Sequence, residues 1–302
     1  MPDDPLDLFR RTPREAVPAD VRVLLSVGNC QAESVRAVMP EALTTVRTPP
    51  VHELTAADAE QLHAWLERAD FVVLQPIRDD YRGLPVGTRQ LLASTRAGTG
   101  IAVLPVIRFA GLYPRHLIIR PPSDTSLTPP VVAYHDAAVL MEAAGSALPP
   151  LTARAVAVIA AASIGELRER EGRHGTVVVS DLFASPTFGS MRTINHPGNP
   201  VWAAVGARTL DALGLAEGPS GTAAPRDPGR PLLDSVHAPR EPAVIDAFDL
   251  DAEPTSDWTV DGCIVPAAEV RIAHLRWYAE HPDAVTAGLH RHAATLRELA
   301  AA

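Results

Sequence analysis

The chain has 302 residues, 46% of them hydrophobic and 21% charged, with a formal net charge of −9. That length suits one large domain or a domain with an appendage, the balance is that of a soluble globular protein, and no basic footprint for nucleic acid is present. All 27 basic side chains are arginine, which excludes a Schiff-base or P-loop lysine and leaves arginine forks, backbone N–H groups and helix ends to hold any anion.

In chain order, residues 1 to 21 carry prolines and charges and read as a loose arm without the apolar core of a signal peptide. Residues 22 to 28 read as a buried strand, and residues 31 to 39 as a helix with Ala32, Val35, Val38 and Met39 on one face, stopped by Pro40. Residues 56 to 68 repeat the helical period through Ala59, Leu62 and Leu66. A second buried strand covers Phe71 to Leu74, a short helix ends at Gly98, and "IAVLPVI" is a third apolar run. This β-α-β-α-β rhythm, with strands apolar on both faces, predicts a three-layer α/β fold around a parallel sheet.

Further helices are expected over 151 to 171, 200 to 213, 266 to 280 and 283 to 301. Residues 216 to 243 are rich in proline, glycine and alanine without a period, and read as a lid or a mobile excursion. The expected organisation is an arm over 1 to 21, a catalytic domain over 22 to 215, the lid over 216 to 243, and a helical extension over 244 to 302 packed on the same domain. No run is long enough to span a membrane. Two cysteines make no disulfide framework, and cytoplasmic thiols are expected.

One of those cysteines, Cys30, falls where the first strand gives way to a helix, in "VGNCQ". Ligands in open α/β sheets bind at the carboxyl ends of strands. A helix start favours an anion there, so the thiol pKa is expected to fall. Gly28 permits a tight turn and close approach to a ligand, and the N–H groups of Cys30 and Gln31 are candidate oxyanion donors. The bland alternative is a small buried cysteine that closes a strand. The polar neighbours Asn29 and Gln31 favour function.

A cysteine nucleophile needs a base. Among 11 histidines, His196 in "INHPGNPV" is displayed on a loop before a helix, beside Asn195. His135 is its rival, with Asp136 adjacent. His52, His63, His116, His174, His237, His274, His281, His290 and His292 read as surface or linker residues. After the second strand, "LQPIRDDYRGLP" places Gln75 towards the crevice and Arg78, Tyr81 and Arg82 in the loop above it. Its arginines either clamp a phosphate or pair with Asp79 and Asp80 on a charged surface.

The ordered set "VGNCQ", "LQPIRDDYRG", "VLPVIRFAGLYP" and "INHPGNPV" resembles the WcbI-like polysaccharide biosynthesis family, over roughly residues 22 to 215. The resemblance implies an α/β fold related to SGNH/GDSL hydrolases, coenzyme A as ligand, and acetyl transfer as activity. It implies Cys30 in the position of the SGNH serine and His196 as general base. Gln31 and Gln75 then stand in or near the pocket, with Tyr81 and Arg82 above it. The third motif departs from the family pattern, with Tyr113 where a histidine is usual. The implied reaction is transfer of an acyl group from acyl-CoA to a hydroxyl or amine of a sugar or secondary metabolite. A hydrolase using the same site is the alternative, and a silent scaffold stands further off. Asp136 and Asp181 are candidates for a third catalytic member. CoA phosphates would fall to Arg78 and Arg82. No metal and no nucleic-acid partner are expected, and a homo-oligomer is left open.

Overall fold

A computed structural model describes residues 4–216 and 224–301. The chain divides into two compact units, each drawn from three segments: Met1–Ile107, Arg168–Ser180 and Asn199–Leu232 in one, and Arg108–Leu167, Asp181–Gly198 and Leu233–Ala302 in the other. The expected boundaries at 22, 216 and 244 do not coincide with this division.

The first unit is built on four parallel strands, β1 (Val23–Val27), β2 (Thr44–Val46), β3 (Phe71–Leu74) and β4 (Gly100–Val103), in the order β2-β1-β3-β4. Every residue of β1 and β3 is buried, as the two-sided apolar runs require. β2 was not expected. With only Thr44-Thr45-Val46 it is too short to show a period, and its β-branched residues are its only signal. The carboxyl ends of three strands lie side by side: Gln75 N–H donates to Val27 O at 3.0 Å and Leu104 N–H to Leu74 O at 2.8 Å.

Helix Ala56–Arg68 starts at a capping box between Thr55 and Asp58 and buries Ala59, Leu62, Trp65 and Leu66. It also anchors the N-terminal segment, which is not the loose arm expected from its charges. Phe9 is 1% exposed. Its carbonyl accepts from Trp65 Nε1 and Gln61 Nε2, both at 2.8 Å. One buried aromatic among charged residues was the signal, and removing such a ring typically costs ~3–5 kcal/mol.

Helix Asn199–Ala212 belongs to the same unit and buries Val201, Trp202, Val205 and Leu210. The described part of the expected lid is bonded down rather than free. Arg226 N–H donates to Val38 O and its Nε to Ala37 O, both at 2.9 Å, and Leu232 N–H donates to Asn199 Oδ1 at 2.9 Å. Further on, Val236–His237 pairs in a sheet and helix Pro242–Phe248 begins. Residues 217–223 of that expected lid lie outside the described residues.

In the second unit, helices Ala137–Ala143, Ala267–Glu280, Pro282–Arg291 and Ala293–Ala300 enclose a core that includes Leu117, Ile119, Leu140, Ile159, Trp277 and Leu296. The single helix expected over 283 to 301 is broken at His292, whose φ of −104° and ψ of 18° leave the helical region. His292 lies 3.2 Å from the Ile118 carbonyl through Nε2. Short antiparallel pairs complete this unit: His116–Leu117 with His135–Asp136, Met191–Thr193 with His196–Pro197, and Val236–His237, Trp258–Val260 and Cys263–Val265 together. Two histidines read as surface residues are buried here, His116 at 7% and His274 at 0% exposure.

Candidate active site

Cys30 is the first residue of helix Cys30–Ala37, directly beyond the carboxyl end of β1. Asn29 caps the helix, its Oδ1 accepting from Gln31 N–H at 2.8 Å. Asn29 N–H donates to Gln75 Oε1 at 2.9 Å. Gln31 reaches the far side of the sheet end: its Nε2 donates to Ile107 O at 2.8 Å and its Oε1 accepts from Ile107 N–H at 2.9 Å. Gln75 Nε2 closes the group with a long bond to Gln31 Oε1 at 3.4 Å. The polar residues around Cys30 therefore lock three strand ends together, which explains two buried amides in an apolar crevice.

This geometry changes two expectations. Gly28 has a packing reason besides any approach to a ligand, because Gln75 fills its side-chain space: a Cβ there would lie 2.4 Å from Gln75 Oε1. Gln31 N–H is already engaged by Asn29 Oδ1, so it is not a free oxyanion donor. The Cys30 N–H, at the first helical position, has no intrahelical acceptor.

Cys30, Gly28 and Asn29 line a cavity of about 270 Å³ together with Arg47, Thr48 and Glu53. Gln31 and Gln75 are not on its surface but hold its wall. Arg47 and Thr48 follow β2 directly, so missing that strand meant missing them. Arg47 stands 3.5 Å from Glu33, whose carboxylate is taken more tightly by Arg36 at 2.7 Å. The thiol pKa is raised, contrary to expectation. Burial of the half-buried sulfur dominates, while the N–H groups of Cys30 and Gln31 pull the other way without prevailing.

Arg78, Tyr81 and Arg82 do not line this cavity. Arg78 lies over the Tyr81 ring at 5.8 Å and Arg82 Nη1 donates to His52 O at 3.0 Å. Asp79 pairs with Arg89 at 2.9 Å and Asp80 accepts from Gln90 Nε2 at 2.6 Å. Asp80 and Arg82 both hold left-handed backbone, with φ of 50° and 55°, a conformation that non-glycine residues adopt at some cost.

His196 lies in the second unit, in the short strand His196–Pro197. Its ring meets Tyr134 edge-on at 5.9 Å, and its Nδ1 is buried without a hydrogen-bond partner. Burial, then the charges of Arg192 and His237, push its pKa down to about 4, so the imidazole is neutral at pH 7. Asn195 Oδ1 accepts from Tyr134 Oη at 2.7 Å and thereby fixes that ring. His135 is no rival: it is fully buried, with Nδ1 2.6 Å from Tyr278 Oη, and lies against Trp277. Asp136 caps helix Ala137–Ala143 through Ala138 N–H at 2.6 Å. Asp181 lies in the short turn Ser180–Phe183.

A family model described as polysaccharide biosynthesis enzyme WcbI matches residues 23–218. The chain belongs to the WcbI family. That match runs from β1 through the Cys30 helix start, the His196 strand and helix Asn199–Ala212. A solved structure of WcbI, described as a novel polysaccharide biosynthesis enzyme in its native form without a disulfide bond between coenzyme A and one of its cysteines, is similar over 93% of this chain and 99% of that one. Its TM-score is 0.74 at 20% sequence identity, which shows a WcbI-like fold. No curated protein matches the sequence. Among the described residues no helix is long and apolar enough to cross a membrane, and no group of three or more His, Cys, Asp or Glu is placed to hold a metal ion.

Proposed function

We propose that this WcbI family member moves an acyl group from acyl-CoA to a carbohydrate hydroxyl, with Cys30 as acyl acceptor and His196 as base. The observation that carries this reading is the half-buried Cys30 thiol on a cavity at the carboxyl edge of a parallel sheet. Membership of a polysaccharide biosynthesis family supports the acceptor class, and the coenzyme A named with the similar structure supports the donor. At about 270 Å³ the cavity is smaller than the ~300–1,000 Å³ of a typical ligand pocket. It suits the thioester end of the donor, and Arg47 supplies a charge at its wall.

In the first step Cys30 sulfur bonds to the thioester carbonyl carbon, the CoA thiolate leaves, and the sulfur's proton passes to a base. In the second, an acceptor hydroxyl gives its proton to His196 while its oxygen takes the acyl group and frees Cys30. Thiol and thioester exchange nearly isoenergetically, so a cysteine suits this donor. The free protein stores no thiolate–imidazolium pair. Burial raises the thiol pKa and pushes the imidazole down to about 4, so both groups are neutral near pH 7. The proton therefore moves during attack.

The raised thiol pKa favours a second reading, in which His196 takes the acceptor proton and the acyl group passes directly, with Cys30 a neutral part of the wall. A kinship with SGNH hydrolases would make water the competing acceptor. Product analysis separates transferase from hydrolase: CoA release from acetyl-CoA should rise with a glycoside present and yield acetylated glycoside. Equal release with free acetate alone would identify a hydrolase, and no release would refute both.

A further inference from the structure

A second cavity, of about 620 Å³, lies wholly within the second unit, lined by Arg115, His116, Tyr134, Asp136, Glu241 and Trp258 among others. Three polar groups on its wall have unfilled hydrogen-bonding capacity. Arg115 Nε and His116 Nδ1 are buried without partners. Glu241 has Arg115 Nε at 3.6 Å as its nearest charged neighbour among the described residues, beyond hydrogen-bond reach. Glu241 also precedes helix Pro242–Phe248 without using its side chain to cap it. Buried polar groups are nearly always satisfied, so two orphaned nitrogens on one cavity wall, beside a half-buried carboxylate held only by a loose ion pair, point to a ligand that satisfies them.

The rest of the wall narrows the ligand's chemistry. Trp258 stacks between His116, at 4.7 Å, and Tyr134, at 6.2 Å, giving one wall an aromatic face. The positive charge of Arg115 is offset by Glu241 at 3.6 Å, and Asp136, held as a helix cap, adds a second carboxylate to the wall. An anion would meet Asp136 and Glu241, while a ring bearing several hydroxyls offers both donors and acceptors. We propose that this cavity is the acceptor site and binds a neutral carbohydrate ring, which accepts from Arg115, hydrogen-bonds Glu241, and lies against Trp258 and Tyr134. This rests on the acyl-transfer reading for its role as acceptor site. Burial, opposed by Arg115 and reinforced by Asp136, pushes Glu241 up to about 7, so near neutrality its carboxyl both donates and accepts. Tyr134 stands edge-on to His196 at 5.9 Å, which puts the proposed base one ring away from this cavity.

The test is ligand-observed saturation-transfer NMR on the intact protein without acyl-CoA, using the methyl glycosides of mannose, glucose and galactose at millimolar concentration. At least one should show transfer, and Glu241→Leu should weaken it about tenfold or more, as loss of a charged hydrogen bond does. Arg115→Gln should do the same, with near-ultraviolet dichroism confirming the fold. Glu241→Leu is the decisive variant, because Arg115 also holds Pro149 O at 3.0 Å. Absence of transfer from all three glycosides, or binding unchanged in Glu241→Leu, overturns the assignment. Preferential binding of inorganic phosphate with none of a glycoside overturns it too. Since no acyl donor is present, the binding is read independently of the reaction: glycoside binding here, with no acetylated glycoside formed in a separate assay containing acetyl-CoA, would sink the proposed reaction and leave this site standing.

Discussion

Gln75 occupies the space that a side chain at position 28 would need, and from there it accepts the Asn29 N–H at 2.9 Å. The residue that forbids a Cβ at Gly28 is also the one that positions the turn carrying Cys30. Gly28→Ala should therefore push Gln75 Oε1 away and break that bond. We expect a loss of ~2–3 kcal/mol in urea unfolding, from overpacking and a buried N–H left unpaired. The variant should also change the alkylation rate of Cys30. Unchanged stability would mean that Gln75 has room to move.

Gln31 satisfies both backbone groups of Ile107. Gln31→Leu keeps the size but strands a buried N–H and a buried C=O. The expected loss is ~2–6 kcal/mol, about 1–3 for each orphaned group. A loss below 1 kcal/mol by chemical unfolding would show that water or another side chain replaces it.

The raised thiol pKa makes Cys30 slow to alkylate near neutrality. Exposed Cys263 should react first with iodoacetamide at pH 7, with Cys30 following only as pH rises past the usual thiol range. Peptide mapping reads both sites, and faster labelling of Cys30 at pH 7 would contradict the burial argument.

Burial holds His116 and His196 down to about 4 and His135 to about 3. Each binds a proton near 6.5 once unfolded. Between pH 6.5 and about 4 the unfolded chain therefore binds more protons, and stability falls as pH falls, by up to ~1.4 kcal/mol per unit for each histidine. Glu241 has the opposite sign: pushed up to about 7 when folded, it makes the folded state bind the extra proton below that value. Three histidines outweigh one carboxyl. Urea midpoints at pH 7, 6 and 5 should decline in that order, and a flat profile would mean these histidines are not neutral and buried.

The sequence carried the parallel sheet because β1 and β3 are apolar on both faces, and it carried the helices wherever the 3.6-residue period was long. It did not carry β2, three residues long, and so missed Arg47 and Thr48. Gln31 was legible as unusual, one of a polar pair with Asn29 beside an apolar strand, and Gln75 as directed towards the crevice. Their partners, Ile107 O and N–H and Asn29 N–H, are backbone groups that no side-chain pattern marks. The thiol pKa was misjudged because a helix start is visible in sequence while desolvation depends on what the fold packs over the sulfur. The second cavity was invisible for a similar reason: Arg115 and His116 precede Glu241 and Trp258 by more than a hundred residues, and the two pairs meet only through short strands and turns.

Intact-mass spectrometry after brief incubation with acetyl-CoA, followed by peptide mapping, tests the proposed chemistry most directly. One acetyl group should appear on Cys30, none on Cys263, and none on Cys30→Ser. Adding a methyl glycoside should remove it at the rate acetylated glycoside forms, and His196→Ala should slow that removal. An unmodified wild-type protein that still acetylates glycoside at full rate, with Cys30→Ser equally active, would contradict a covalent role for Cys30.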